Sequence, residues 1–283
     1  MQAAKITFIG GGNMATALIE GLRKNQASMM SVAQPVLVVA DPSADRRALL
    51  ADLYAIEPVA DNAAAITGAS LIVLAVKPNH VRAAAEQIRA NLLPNQLIVS
   101  VAAGIRLAAL QNWLGGHQAI VRAMPNTPAM VGSGATGLYA PPALTPQQRN
   151  LAESLMRAVG LVQWVQNEAD IDTVTALSGS GPAYIFLVME AMQAAAEQLG
   201  LPAQTARLLT LETVFGAARL AMTADESPAQ LRARVTSPNG TTERGIAALE
   251  QAGLRAAFAQ ALNAAHQRSI ELGAQLSADE RAV

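Results

Sequence analysis

Short apolar runs alternate with longer amphipathic stretches over positions 1–167. The runs are Lys5–Ile9, Pro35–Asp41, Ile56–Val59, Ser70–Val76, Gln96–Val101, Ala119–Met124, Gly134–Ala140 and Leu161–Val165. Most are apolar on both alternating faces, which predicts strands buried on both sides. Between them the pattern predicts helices over about Met14–Lys24, Ala44–Leu53, Val81–Ala90 and Leu107–Trp113, and a short one from Asp61. Thr145, with Pro146 behind it and Gln148 three positions on, predicts a capped helix start. Alternating strands and helices imply an α/β, doubly wound, mostly parallel sheet, with ligands at the carboxyl ends of its strands. From Glu168 onward the pattern holds no strand. Helices are predicted over about Pro182–Leu199, with Ser180 as N-cap, and over Ala203–Met222. Others follow after Pro228, at Glu243–Gln251 and at Leu254–Leu272, and the last ten residues are expected to fray. The first half of the Pro182 helix is apolar all round. It therefore requires burial inside an all-helical domain or against a second subunit.

Four features at strand ends suggest a site. The first strand runs into Gly10-Gly11-Gly12-Asn13-Met14-Ala15, a G-x-G-x-x-A turn opening a helix. Gly10 supplies the tight turn, Gly12 lets backbone approach a ligand, and Ala15 allows close helix–strand packing. The helix N-terminus offers unpaired N–H groups to a pyrophosphate. Asp41 ends the second strand, where an acid holds a ribose 2′-hydroxyl. It lies about 30 residues past the turn, and the polar loop before Pro35 absorbs the excess over the usual spacing of about 20. Ser43, Arg46 and Arg47 lie just beyond it and suit a 2′-phosphate. Lys77 ends another strand before Pro78, and Met124-Pro125-Asn126-Thr127-Pro128 makes a rigid loop at the same edge.

The helical part adds Leu177-Ser178-Gly179-Ser180-Gly181-Pro182, read as a cap, and the loop Thr236–Thr242, whose hydroxyls and N–H groups suit a carboxylate or a plain capping role. Glu190 sits in the apolar helix and is read as an ion-pair or hydrogen-bond residue. His80, His117 and His266 are scattered without metal spacing, so they are read as structural or exposed, and no metal is expected. The scarcity of acid–base groups fits hydride transfer, in which a cofactor carries the chemistry.

Composition narrows the classes. Hydrophobic residues make up 52% and aromatics 3%, so the apolar mass is Ala, Leu and Val, suited to tight helix and sheet packing. A net charge of −1 offers no nucleic-acid surface, and the lack of cysteine excludes disulfides and thiolate metal sites. Asn13, Glu20 and Arg23 interrupt the N-terminal segment too early for a signal peptide, and no apolar run reaches about 18 residues. A soluble cytoplasmic chain without membrane contact is expected.

The motifs together resemble the pyrroline-5-carboxylate reductase family. They are Phe8-Ile9-Gly10-Gly11-Gly12-Asn13-Met14, Ala75-Val76-Lys77-Pro78, Val101-Ala102-Ala103-Gly104, Val121–Pro128, Leu177–Tyr184 and Val235–Thr242. The resemblance implies a Rossmann domain over 1–167 and an all-α dimerisation and substrate-binding domain over 168–283. It implies reduction of the ring C=N of 1-pyrroline-5-carboxylate to L-proline by NADPH, with NADH possible. By matching position it assigns cofactor contacts to Gly10, Gly11, Gly12, Asn13, Met14, Asn62, Val76, Lys77, Pro78 and Ala103. Asp41, Ser43 and Arg46 are added from their place after the second strand. The substrate carboxylate is assigned to Ser237, Gly240 and Thr241, with Thr242 near the ring nitrogen as the catalytic group. Asn239 stands where the family often has glycine, and Asn tolerates the positive φ this requires. A homodimer is implied, with larger assemblies such as a decamer open. The rivals are a 3-hydroxyacid dehydrogenase-like reductase and a non-enzymatic dinucleotide-binding module.

Overall fold

The computed structural model describes residues 4–28 and 35–277. Part of the loop before Pro35 and residues 278–283 lie outside the described residues. By contacts the chain forms two compact units, residues 1–180 with 265–283, and residues 181–264. The expected boundary at 167/168 thus falls within the first unit, which also holds the end of the last helix.

The first unit is built on an eight-stranded sheet. Its strands are β1 (Lys5–Ile9), β2 (Val36–Ala40), β3 (Glu57–Val59), β4 (Leu71–Leu74), β5 (Leu97–Ser100), β6 (Ile120–Met124), β7 (Gly134–Tyr139) and β8 (Gly160–Trp164). The order is β3-β2-β1-β4-β5-β6-β7-β8. The first six strands are parallel; β7 runs antiparallel to β6, and β8 parallel to β7. The chain works outward from β1 to β3 and then returns to lay β4 beside β1. That reversal opens a crevice at the carboxyl ends of β1 and β4, where doubly wound sheets bind ligands.

Both faces of the sheet are covered. Helices α1 (Asn13–Ser28), α2 (Ala44–Tyr54), α3 (Asn62–Ala65), α4 (Val81–Ile88), α5 (Leu107–Trp113) and α6 (Pro146–Arg157) follow the strands in turn. Phe8, Val73 and Val99 pack on one side with Leu18 of α1 and Leu155 of α6. Ile9, Ile72 and Ile98 pack on the other with Ile88 of α4 and Leu110 of α5. This two-sided burial is why the strands read as unbroken apolar runs. The α6 start carries the predicted capping box, Thr145 with Gln148.

After β8 the chain is helical: α7 (Asp170–Val174), α8 (Gly181–Gln198), α9 (Ala203–Thr223), α10 (Pro228–Arg234), α11 (Thr241–Gln251) and α12 (Leu254–Ser277). Three expectations need correction here. Ser180 is not an N-cap. It has right-handed helical backbone and closes a π-helical turn, Thr175–Gly179, that joins α7 to α8. Its N–H donates to the Thr175 carbonyl at 2.8 Å, five residues back. Second, Thr241 and Thr242 are not loop residues but the first two positions of α11. Third, Glu190 is exposed and has no hydrogen-bond or ion-pair partner among the described residues. The apolar half of α8 is likewise open, with Phe186 61% and Leu187 65% exposed. No helix among the described residues is long and apolar enough to cross a membrane.

Candidate active site

The glycine turn is fixed from both sides. Gly10 has φ +96°, and a Cβ there would lie 2.9 Å from the Ala75 carbonyl oxygen. Its N–H donates to the Ala40 carbonyl at 2.7 Å. Only glycine meets both the backbone conformation and the close approach. Gly12 differs: an added Cβ meets no atom within 4 Å. It therefore faces open space at the start of α1, whose first N–H groups have no intrahelical partner.

Asp41, just past β2, closes the turn from the other side. Its Oδ2 accepts the Gly11 N–H at 2.8 Å, and Oδ1 accepts the Ser43 N–H at 2.9 Å. Each oxygen keeps a second lone pair for a ligand hydroxyl. Ser43 caps α2 by accepting the Arg46 N–H. Arg46 turns back under the glycine turn, its Nε donating to the Gly11 carbonyl and its Nη2 to the Thr16 hydroxyl, each at 2.5 Å. Arg47 Nη1 donates to the Asp41 carbonyl at 2.6 Å. Both guanidinium groups thus brace backbone in this structure.

Gly10, Gly12, Asp41, Asn62, Val76 and Lys77 line one cleft of about 540 Å³, a volume typical of ligand sites. Lys77 is extended, as Pro78 behind it requires, and Pro78 opens a short 3₁₀ turn to His80. Asn62 follows the cap Asp61 and donates through Nδ2 to Gln87 Oε1 at 2.6 Å. Gly11, Asn13, Met14, Ser43, Arg46, Pro78 and Ala103 do not line this cleft; Met14 packs against the core instead. The sequence reading missed the cleft residues His80, Ala83 and Gln87. The 3₁₀ turn after Pro78 carries the chain into α4, so these residues reach the wall one helical turn apart.

The residues suit a dinucleotide. The open side of Gly12 leaves room for a pyrophosphate over the N–H groups of α1. Asp41 presents an acceptor at the ribose position.

Farther along the same sheet edge, beyond β6, Asn126 is buried. Its Nδ2 donates to the Ser178 carbonyl at 3.0 Å, and its Oδ1 accepts the Ala135 N–H at 2.9 Å. It thereby satisfies a carbonyl of the π turn. Two ion pairs lie nearby in the fold. Buried Arg122 Nη1 binds Glu168 Oε1 at 2.6 Å, and that oxygen also accepts the Leu107 N–H at 2.6 Å. Arg106 Nη1 binds buried Asp172 Oδ2 at 2.8 Å, while the Ser269 hydroxyl donates to Asp172 Oδ1 at 2.7 Å. Burial lowers the pKa of Arg122, and Glu168 opposes that shift.

In the second unit, the loop before α11 is tightly wound. The Gly240 N–H donates to the Ser237 carbonyl at 3.0 Å, and a Cβ on Gly240 would lie 2.9 Å from that oxygen. Asn239 has φ +58°, the conformation expected of it. Its N–H is taken by Glu243 Oε2 at 2.8 Å. The Ser237, Thr241 and Thr242 hydroxyls have no partner among the described residues, and Thr241 and Thr242 are exposed. The first N–H groups of this helix lack intrahelical acceptors, an arrangement that suits an anion. Among the described residues no three His, Cys, Asp or Glu side chains gather as a metal site.

The family model for pyrroline-5-carboxylate reductase dimerisation matches residues 168–272. The model for NADP oxidoreductase, coenzyme F420-dependent, matches residues 5–104. A pyrroline-5-carboxylate reductase of Pseudomonas aeruginosa is 50% identical over 276 residues, covering 98% of this chain and 99% of its own. The chain belongs to the pyrroline-5-carboxylate reductase family. Solved structures agree with that membership. The reductase of Coxiella burnetii superposes with a TM-score of 0.89 at 46% identity, covering 96% of this chain and 99% of its own. The Plasmodium falciparum pyrroline carboxylate reductase, solved with NADP bound, gives 0.81 at 27% identity, covering 96% and 99%. The family is one of oxidoreductases, and the matched N-terminal model places the glycine turn and cleft in its nicotinamide dinucleotide domain.

Proposed function

We infer that this chain reduces the ring C=N of 1-pyrroline-5-carboxylate to L-proline, using NADPH and also NADH, and that it works as a homodimer. The observation that carries the reading is the pairing of two sites in one chain. One is a glycine-turn cleft with an acid at the ribose position; the other is a helix N-terminus with three unpartnered hydroxyls. A binding module without catalysis leaves the second without a task. A 3-hydroxyacid dehydrogenase-like enzyme calls for a catalytic lysine or histidine in the helical part. The sequence has no lysine after Lys77, and the one histidine of the helical part, His266 in α12, has no hydrogen-bond or ion-pair partner among the described residues to orient it as a base.

The reduced nicotinamide, when bound, supplies the hydride. The chain's residues bind and orient. Gly10 and Gly11, whose N–H groups are taken by Ala40 and Asp41, shape the turn, and the backbone N–H groups of Gly12, Asn13 and Met14 at the start of α1 hold the pyrophosphate. Asn62, Val76 and Lys77 line the cleft for the remainder of the dinucleotide, with Pro78 and Ala103 assigned beside it by matching position. Asp41 accepts the ribose 2′-hydroxyl of NADH and opposes a 2′-phosphate. Ser43 and Arg47 stand within the same turn to offset that charge, while Arg46 supports either cofactor by bracing Gly11 and Thr16. The substrate carboxylate sits on the N–H groups of Thr241 and Thr242 and on Ser237, with Gly240 shaping the turn. The Thr242 hydroxyl accepts the N–H of the protonated ring nitrogen. It fixes the face offered to reduction, which is a positioning role. The substrate arrives as an iminium protonated by water, so no strong protein acid is needed. The dimer reading is supported by the match to a dimerisation model and by the open apolar faces of α8 and α9.

The test is an assay of purified protein with 1-pyrroline-5-carboxylate and each reduced cofactor, following loss of nicotinamide absorbance and formation of proline. Turnover with either cofactor, lost in Thr242→Val, supports the reading. Absence of turnover with both would overturn it.

A further inference from the structure

Helix α8 carries two charges in its length, Glu190 and Glu197. Glu197 accepts the Gln193 amide at 2.9 Å. Glu190 has no partner among the described residues, although it lines a groove of about 370 Å³ between α8 and α9. The groove walls are Phe186, Met189 and Leu211, and the cation in it is Arg207, the first charge of α9. Arg207 is exposed and likewise unpartnered among the described residues. Two acids and one base thus line this groove, with Gln193 and Thr210 beside its apolar walls, and of the acids Glu197 is held by Gln193 while Glu190 is without a partner among the described residues.

A second copy covering this face changes their environment. A charge buried in an apolar interface is costly unless it is paired. In a two-fold dimer the same patch meets itself, so a residue that touches another in the partner is touched in return. The unpartnered acid and the base of such a patch can then form two equivalent ion pairs, Glu197 being already held by Gln193. A patch with one sign alone would repel itself.

We propose that Glu190 of each chain pairs with the partner's Arg207, which fixes the register in which the two apolar faces meet. The proposal rests on the dimer reading above. It adds a specificity device to an otherwise non-directional apolar contact.

Sedimentation of wild-type protein, Glu190→Arg, Arg207→Glu, the double variant and a co-refolded mixture of the two single variants tests it. Each single variant juxtaposes like charges twice, and self-association weakens about a hundredfold. The mixture restores both pairs in the heterodimer, so differently tagged chains associate as tightly as wild type. The double variant restores the pairs as well. Far-ultraviolet circular dichroism and cofactor binding by the sheet unit show whether each variant folds. Single variants that dimerise like wild type overturn the proposal and leave the dimer standing. Rescue by the double variant but not by the mixture also overturns it, because the pair then lies within one chain. Rescue by neither overturns it too. A monomeric wild type overturns the dimer reading itself.

Discussion

Leu18 and Leu187 are both leucines in long helices, and one is sealed while the other is 65% exposed. The contrast extends to the units that contain them. In the sheet unit, strands β4 and β5 are buried throughout, and two apolar clusters close over both faces. In residues 181–264 the buried residues are Ala206 and Thr210 alone. Similar apolar residues thus complete a core in one unit and leave an open face in the other. A unit of amphipathic helices around a sheet can satisfy itself. A helix that is apolar all round requires cover from elsewhere.

The largest expected effect tests this difference directly. Ile72→Ala removes a side chain sealed in the sheet core and should cost about 2–5 kcal/mol at any protein concentration. Leu187→Ala should shift the melting temperature only in proportion to association, so its effect should grow as the protein is concentrated. Thermal unfolding at two concentrations decides. A concentration-independent loss at Leu187 would mean that it packs within its own chain.

The next effect separates two glycines in one turn. Gly12→Val should weaken cofactor binding at least tenfold, about 1.4 kcal/mol, without lowering stability. Gly10→Ala should destabilise the sheet unit itself, because its positive φ and the nearby Ala75 carbonyl exclude a Cβ. Nicotinamide fluorescence titration with parallel melting curves measures both. Unchanged affinity in Gly12→Val would remove the turn from the site.

A smaller effect concerns Arg46. It braces the Gly11 carbonyl and Thr16. Arg46→Ala should therefore reduce affinity for NADPH and NADH by the same factor, on the order of 1 kcal/mol. A loss confined to NADPH would show that the side chain leaves its brace to read the 2′-phosphate.

The smallest concerns pH. His117 is half-buried, with Nε2 2.8 Å from the Gln96 carbonyl, and burial lowers its pKa below the ordinary 6.5. The folded state thus prefers the neutral ring. The unfolded chain binds the proton first as pH falls, so stability declines from about pH 6.5 toward the lower folded value. His117→Gln should flatten that part of the stability–pH curve. An unchanged slope would assign it to other groups.

Much of this was legible in the sequence because the information is local. A strand, a glycine turn and a helix start are adjacent, so Gly10 to Ala15 declare their geometry. The Thr145–Gln148 box and the positive φ of Asn239 are equally local. What escaped is set by distant partners. Glu168 takes Arg122 from 46 residues away, and Asp172 takes Ser269 from 97. No periodicity announces such pairs. The π turn reads as a cap in the sequence because Ser and Gly usually break helices. Here Asn126, 52 residues earlier, holds the Ser178 carbonyl. Arg46 lay at the expected place, but its direction depends on the packing of α2 beneath the turn. The α8 pattern left two kinds of cover open, and within this chain its apolar face stays uncovered.

Asp41 has a consequence for how cofactor choice can change over generations. The carboxylate that we propose faces the ribose also anchors Gly11 and Ser43. A lineage moving toward a phosphorylated cofactor cannot simply discard it, since Ala at this position would take the acceptor from the part-buried Gly11 N–H and leave the exposed Ser43 N–H to water. The accessible first step is Asn, which sheds the charge and keeps an oxygen for one donor. Selectivity here is therefore tied to the mechanical integrity of the turn, and it is expected to evolve by exchange of acceptors.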